Sequence, residues 1–204
     1  MSTPNNSTKV LSPTKLAHLV LHTHQYDRML QFYTRFLGAN IVFENGHLAF
    51  LSYDDEHHRI AIISIPGMKA KDPQTSGLGH ISFAYDSLKD LCASYKQRKV
   101  LGMEPGWCVN HGPTTSLYYC DPDGNSIEIQ VDNFETNEEA TAFMMASFER
   151  NPLGVDFDIE ELCRRVERGE DEGELKRPKV EIVRNRPEDL MRAAMLMQQG
   201  TTGL

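Results

Sequence analysis

Two short stretches carry one pattern, LAHLVLHT at residues 16–23 and LGHISFAY at residues 78–85, and each puts a histidine third in a strand-like run. The chain around each stretch follows the same plan. After the first comes YDRMLQFYTRFLG, in which Met29, Phe32, Tyr33, Phe36 and Leu37 recur at helical spacing and Gly38 provides a stop. Strand-like IVFEN, a turn at Asn45-Gly46, HLAFLSY, a polar loop and HRIAIISIP follow. An Asn-Gly pair between two such runs is a strong hairpin signal. The second pass runs LGHISFAY, helical SLKDLCASYKQRKV, and three strand-like pieces around WCVN, TSLYYC and SIEIQV. The repeat predicts an α+β fold of two tandem βαβββ modules, at about residues 15–66 and 77–132, that form a paired, curled mixed sheet around a cleft. His18 and His80 then lie near a pseudo-two-fold axis.

Flanking composition divides the rest. Residues 1–14 are rich in Ser, Thr, Asn and Pro and read as a flexible arm, 15–134 as the repeat domain, and 135–204 as a charged, helical C-terminal extension. A last helix is expected at RPEDLMRAAMLMQQ, with Pro187 near its start. Whether the extension covers the cleft as a lid or forms a subunit interface stays open, although Met144, Met145 and Phe148 would suit an apolar wall.

A net charge of -8 and a pI near 5.5 argue against a polyanion-binding face, so nucleic acid is not an expected partner. The N-terminus has no apolar signal core and no run is long enough to span a bilayer, so no membrane partner is expected either. Cys92, Cys108, Cys120 and Cys163 form no CxxC pair and read as reduced thiols, which fits a cytoplasmic location.

His18, His80 and Glu128 are candidate metal ligands. Two imidazoles and one carboxylate make a facial set that leaves coordination positions open, as non-haem Fe(II) chemistry requires. Alternation along a strand puts Glu128 with Ser126 and Gln130, and His80 with Ser82 and Ala84, on the wetter faces. His18 sides with Leu16, Val20 and His22, a less polar face. A strand histidine taken singly is more often a hydrogen-bonded structural residue, and a strand glutamate a solvated one, so these patterns alone leave both readings open.

HLVLHTHQYDRMLQFYTRFLGANIVFE resembles the opening of the vicinal oxygen chelate superfamily, which holds glyoxalases, bleomycin resistance proteins and extradiol dioxygenases. GHISFAY and YYCDPDGNSIEI resemble its second half, where the Asp121–Asn125 turn aims Glu128 into the cleft. The resemblance covers roughly residues 15–132. Glyoxalase-like members use a fourth protein ligand, a carboxylate on the last strand of the first module. Between Arg59 and Ala70 there is no Asp or Glu, and Ile62 or a near neighbour stands at that place.

The resemblance is therefore to the single-domain extradiol dioxygenases of catechols or biphenyl diols. It implies Fe(II), with Mn(II) or Zn(II) as alternatives, held by His18, His80 and Glu128. It also implies a small aromatic diol substrate with O2, and a homodimer or higher homo-oligomer. His58 resembles the family's proton relay beside the O2 site, Tyr118 the tyrosine that hydrogen-bonds the catecholate, and His111 the histidine behind it, although the loop from His111 to Tyr118 is short. A solvated polar loop is the other reading of His57 and His58. The rival functions are a metal-dependent isomerase or lyase of the glyoxalase type, and a non-catalytic small-molecule-binding protein.

Overall fold

A computed structural model describes residues 10–72, 75–178 and 182–203. The flexible arm expected at residues 1–14 falls mostly outside them. β1 (Leu19–Thr23) leads into α1 (Tyr26–Phe36), whose Met29, Phe32, Tyr33 and Phe36 are sealed in the core. Helical spacing puts these four on one face, and burying each stabilises the fold by about 1.5–3 kcal/mol. The next strands, β2 (Asn40–Glu44) and β3 (Leu48–Ser52), form the hairpin, with Asn45 Oδ1 accepting from the amides of His47 (3.1 Å) and Leu48 (2.9 Å). Gly46 takes φ +83° there, a conformation that side-chain-bearing residues resist. β4 (Ile60–Ser64) pairs antiparallel with β3 and parallel with β1, giving the order β1-β4-β3-β2.

The second module repeats the plan with β5 (His80–Tyr85), α2 (Leu88–Val100), β6 (Trp107–Asn110), β7 (Thr114–Cys120) and β8 (Ser126–Asp132). Ser87 caps α2 by accepting from the Asp90 amide. Among the described residues the two sheets are not joined strand to strand; side chains join the modules instead. Phe36 packs edge-on against Tyr119, 5.0 Å between centroids. The buried Arg98 lies 4.3 Å over the Phe36 ring and donates to the Phe36 carbonyl at 2.9 Å.

The extension holds α3 (Asn137–Ser147), β9 (Val155–Asp156), α4 (Ile159–Glu167), α5 (Glu172–Lys176) and α6 (Pro187–Leu196). It is not wholly helical: β9 adds to the free edge of β6 and completes the order β5-β8-β7-β6-β9. An uncovered edge would leave unpaired backbone groups, which explains why even two residues pair there. Ile159, Leu162 and Cys163 of α4 join the main core. Ala193 and Leu196 of α6, with Met197 after it, cover Trp107, Val109 and Tyr118. Met145 points away, largely exposed, so it does not build the wall expected of it. The four cysteines are free, and no described helix is long and apolar enough to cross a membrane.

Candidate active site

Alternation along β8 sends Ile127, Ile129 and Val131 into the core and turns Glu128 to the opposite face of the sheet. Register then builds a row. Ser82 of β5 pairs with Glu128, Glu128 with Tyr118 of β7, and Tyr118 with Trp107 of β6. The turn before β8 fixes that register. Asp121 Oδ1 accepts from the amides of Asp123 (3.0 Å) and Asn125 (2.8 Å), and Oδ2 accepts from Asn125 Nδ2 and from the buried Tyr33 hydroxyl at 3.0 Å. Gln25, at the start of α1, donates to the Pro122 carbonyl and to Asp123. Module one therefore grips the turn that aims module two's carboxylate.

Glu128 is 5% exposed, and His80 Nε2 stands 3.1 Å from its Oε2. Burial alone would raise the Glu128 pKa, but the hydrogen bond from His80 leads the opposing effects, which hold it at about 2. The same hydrogen bond raises the His80 pKa against its own burial. The pair is an anion beside an imidazole whose protonated form it favours.

Behind it, the Tyr118 hydroxyl lies 3.0 Å from Glu128 Oε1 and 2.9 Å from His111 Nε2. Burial first, and then the Glu128 charge, raise the Tyr118 pKa, so the phenol stays protonated. His111 Nδ1 is 2.8 Å from the Leu153 carbonyl, which can only accept, so the network assigns the ring proton to Nδ1. Burial lowers the His111 pKa, and the neutral ring offers Nε2 as an acceptor. One Tyr118 proton thus has two acceptors, Glu128 and His111.

His18 is not in a strand but just before β1, and Arg59 Nη1 bonds the preceding carbonyls of Leu16 (2.8 Å) and Ala17 (2.9 Å). Its ring meets His58 at 4.4 Å between centroids. His58 is half-buried rather than solvated, stacked between His57 and Phe50. Burial and then the imidazoles of His18 and His57 lower its pKa. The structure therefore brings His80, Glu128, Tyr118 and His111 into one connected set and His18 with His58 into another. Among the described residues no three His, Cys, Asp or Glu side chains converge as a metal-binding group. A cavity of about 250 Å³ opens beside His18, lined also by Tyr53, Arg59, Ser82 and Phe83. It touches the row at Ser82, the neighbour of Glu128.

The repeat also locates the fourth-ligand place. In module two the residue two beyond His80, Ser82, pairs with Glu128; in module one the residue two beyond His18, Val20, pairs with Ala61. By that register the corresponding residue is Ala61, the neighbour of Ile62, and its side chain offers no donor. Sequence reasoning missed Trp107, whose ring stacks on Tyr118 at 5.1 Å, and Asp156, which accepts from its indole. Trp107 stands opposite Tyr118 in the adjacent strand, a register that alternation could have suggested; Asp156 carries no such signal.

The sequence profile of the Glyoxalase/Bleomycin resistance protein/Dioxygenase superfamily matches residues 15–129. The chain belongs to that superfamily. Biphenyl-2,3-diol 1,2-dioxygenase 2 of Rhodococcus globerulus is 43% identical over 146 residues, which cover 71% of this chain and 77% of that one. Biphenyl-2,3-diol 1,2-dioxygenase 3 of the same organism is 43% identical over 164 residues, 79% and 86% of the two chains. The crystal structure of a superfamily domain from Frankia sp. EAN1pec superimposes with a TM-score of 0.52 at 18% identity, over 63% of this chain and 98% of that one. At that identity the Frankia structure speaks to the superfamily fold alone.

Proposed function

We propose that this superfamily member is an extradiol ring-cleaving dioxygenase that joins an aromatic vicinal diol to O2. The observation that carries the reading is Glu128, an anion held between His80 and the Tyr118–His111 pair, with Ala61 where a fourth ligand would stand. Identity of 43% to two biphenyl-2,3-diol dioxygenases supports it.

The donor set suits Fe(II). His80 and Glu128 already adjoin, and His18 faces the cavity that reaches Ser82 beside them. These three would hold the ion and leave the remaining positions for a chelating diol and O2, whereas a fourth carboxylate would fill one of them. Bound Fe(II) supplies a charged centre that eases loss of the diol protons and an open position for O2.

The protein's own side chains have separate tasks. Tyr118, kept protonated by burial, would turn its single proton from Glu128 and His111 to one diol oxygen once the substrate lies along the row. His58, with a lowered pKa and its ring against His18, would take up a proton and return it. Tyr53, edge to face with Phe83 at 5.8 Å, lines the cavity beside His18 and would offer an aromatic edge there. In the overall reaction one ring C–C bond next to a hydroxyl-bearing carbon breaks. Both oxygen atoms enter the product, an open-chain hydroxymuconate-type acid in which the hydroxyl-bearing carbon of the broken bond becomes the carboxyl group and its former neighbour an aldehyde or ketone, and no external reductant is consumed.

The test is anaerobic loading with Fe(II), then O2 uptake with biphenyl-2,3-diol and a panel of catechols. Uptake of one O2 per diol is expected. Bound iron with no uptake on any diol would overturn the proposal.

A further inference from the structure

The superfamily match ends at residue 129, yet the groups behind Tyr118 are held from beyond it. Trp107 stacks on Tyr118 with 24° between ring planes, and its Nε1 donates to Asp156 Oδ1 at 2.8 Å. Asp156 is gripped in turn by Arg184, Nη1 to Oδ1 at 2.8 Å and Nη2 to Oδ2 at 2.6 Å. Three residues earlier, the Leu153 carbonyl accepts from His111.

That carbonyl sits in a locked turn. The buried Asn151 accepts through Oδ1 from the amides of Leu153 (3.2 Å) and Gly154 (2.8 Å), and donates through Nδ2 to the Gly154 carbonyl (3.0 Å). Gly154 has φ +83°, and a Cβ there would stand 2.1 Å from the Asn110 carbonyl oxygen. The turn is wedged against the end of β6, one residue from His111.

We infer that the segment Asn151–Asp156 is a working part of the site, in which Asp156 acts through Trp107, and the Leu153 carbonyl through His111, as positioning groups for the Tyr118 hydroxyl. An indole fixed by Asp156 limits how far the stacked phenol can turn. A carbonyl on Nδ1 fixes which His111 nitrogen meets that phenol, since the other tautomer would present an N–H in place of the lone pair. The inference rests on Tyr118 touching substrate, and the following experiment separates its failure from failure of that reading.

The chain has one tryptophan, so a single indole N–H resonance and all tryptophan emission report on Trp107. In the metal-free full chain, Asp156→Ala should move the indole resonance upfield and lower the emission anisotropy. Asp156→Asn keeps an acceptor for the indole and should restore both. In the Fe(II)-loaded protein with biphenyl-2,3-diol, Asp156→Ala should lower kcat about tenfold at unchanged iron content, with most of the loss regained in Asp156→Asn. Should the alanine variant not fold, Trp107→Phe keeps a stacked ring, leaves Asp156 on Arg184, and should also lower kcat. An unmoved resonance in Asp156→Ala, or a moved one with wild-type kcat, overturns the inference. A wild type that turns over no diol overturns the functional reading, and the indole shift then decides the positioning role alone.

Discussion

Glu128 has two strong claims on its two oxygens, an imidazole on one and a phenol on the other, and its chemistry follows from that crowding. Its pKa is depressed in the folded chain, so the stability it contributes is present above the ordinary glutamate pKa and is lost as pH falls through the folded value of about 2. That contribution is on the order of 3 kcal/mol over roughly pH 5 to 2. Acid unfolding of the metal-free protein should therefore flatten over this window in Glu128→Gln, read by circular dichroism; an unchanged profile would show that the pair does not hold. The raised His80 pKa has the opposite sign, its contribution fading as pH climbs through the folded value. The proposal gives His80 and His58 different roles. His80→Ala should lose the iron itself, whereas His58→Gln should keep iron and slow turnover by about 10–100-fold, checked by metal analysis beside O2 uptake. Strand alternation made His80 and Glu128 legible in the sequence. β1 opens one residue after His18, where the Leu19 amide bonds the Arg59 carbonyl, while the Arg59 side chain holds the carbonyls of Leu16 and Ala17 before it.

Among the elements, the β7–β8 turn matters most for the site, because it sets where β8 begins and so which way Glu128 points. Asp121 receives four hydrogen bonds there, one of them from α1 of the other module. Asp121→Ala would leave the buried Tyr33 hydroxyl and two turn amides short of partners, costing about 3 kcal/mol in urea unfolding. It should also weaken iron binding, since the carboxylate two residues into β8 would lose its aim; a variant as stable as wild type would contradict the role given to the turn. This turn was readable because Asp, Gly and Asn declare it locally. The β9 strand was not, since two residues carry no period and their pairing is decided by the free edge of β6.

Across the whole molecule, the repeat is the organising fact. It was visible because both modules bury the same helix face against the same strands, and hydrophobic spacing records burial. The grip of the extension on Trp107 and His111 was invisible, because it runs through a backbone carbonyl and one carboxylate that no pattern marks. The repeat also puts Ala61 opposite the strand position two beyond His18, where module two carries Glu128. The proposed open three-ligand site should make both atoms of O2 part of one product. The direct measurement is mass spectrometry of the product formed from biphenyl-2,3-diol under ¹⁸O₂ by the Fe(II)-loaded full chain. A ring-opened acid carrying two labelled oxygens is predicted; unlabelled diol, or an oxidised diol with its ring intact and no label, would contradict it.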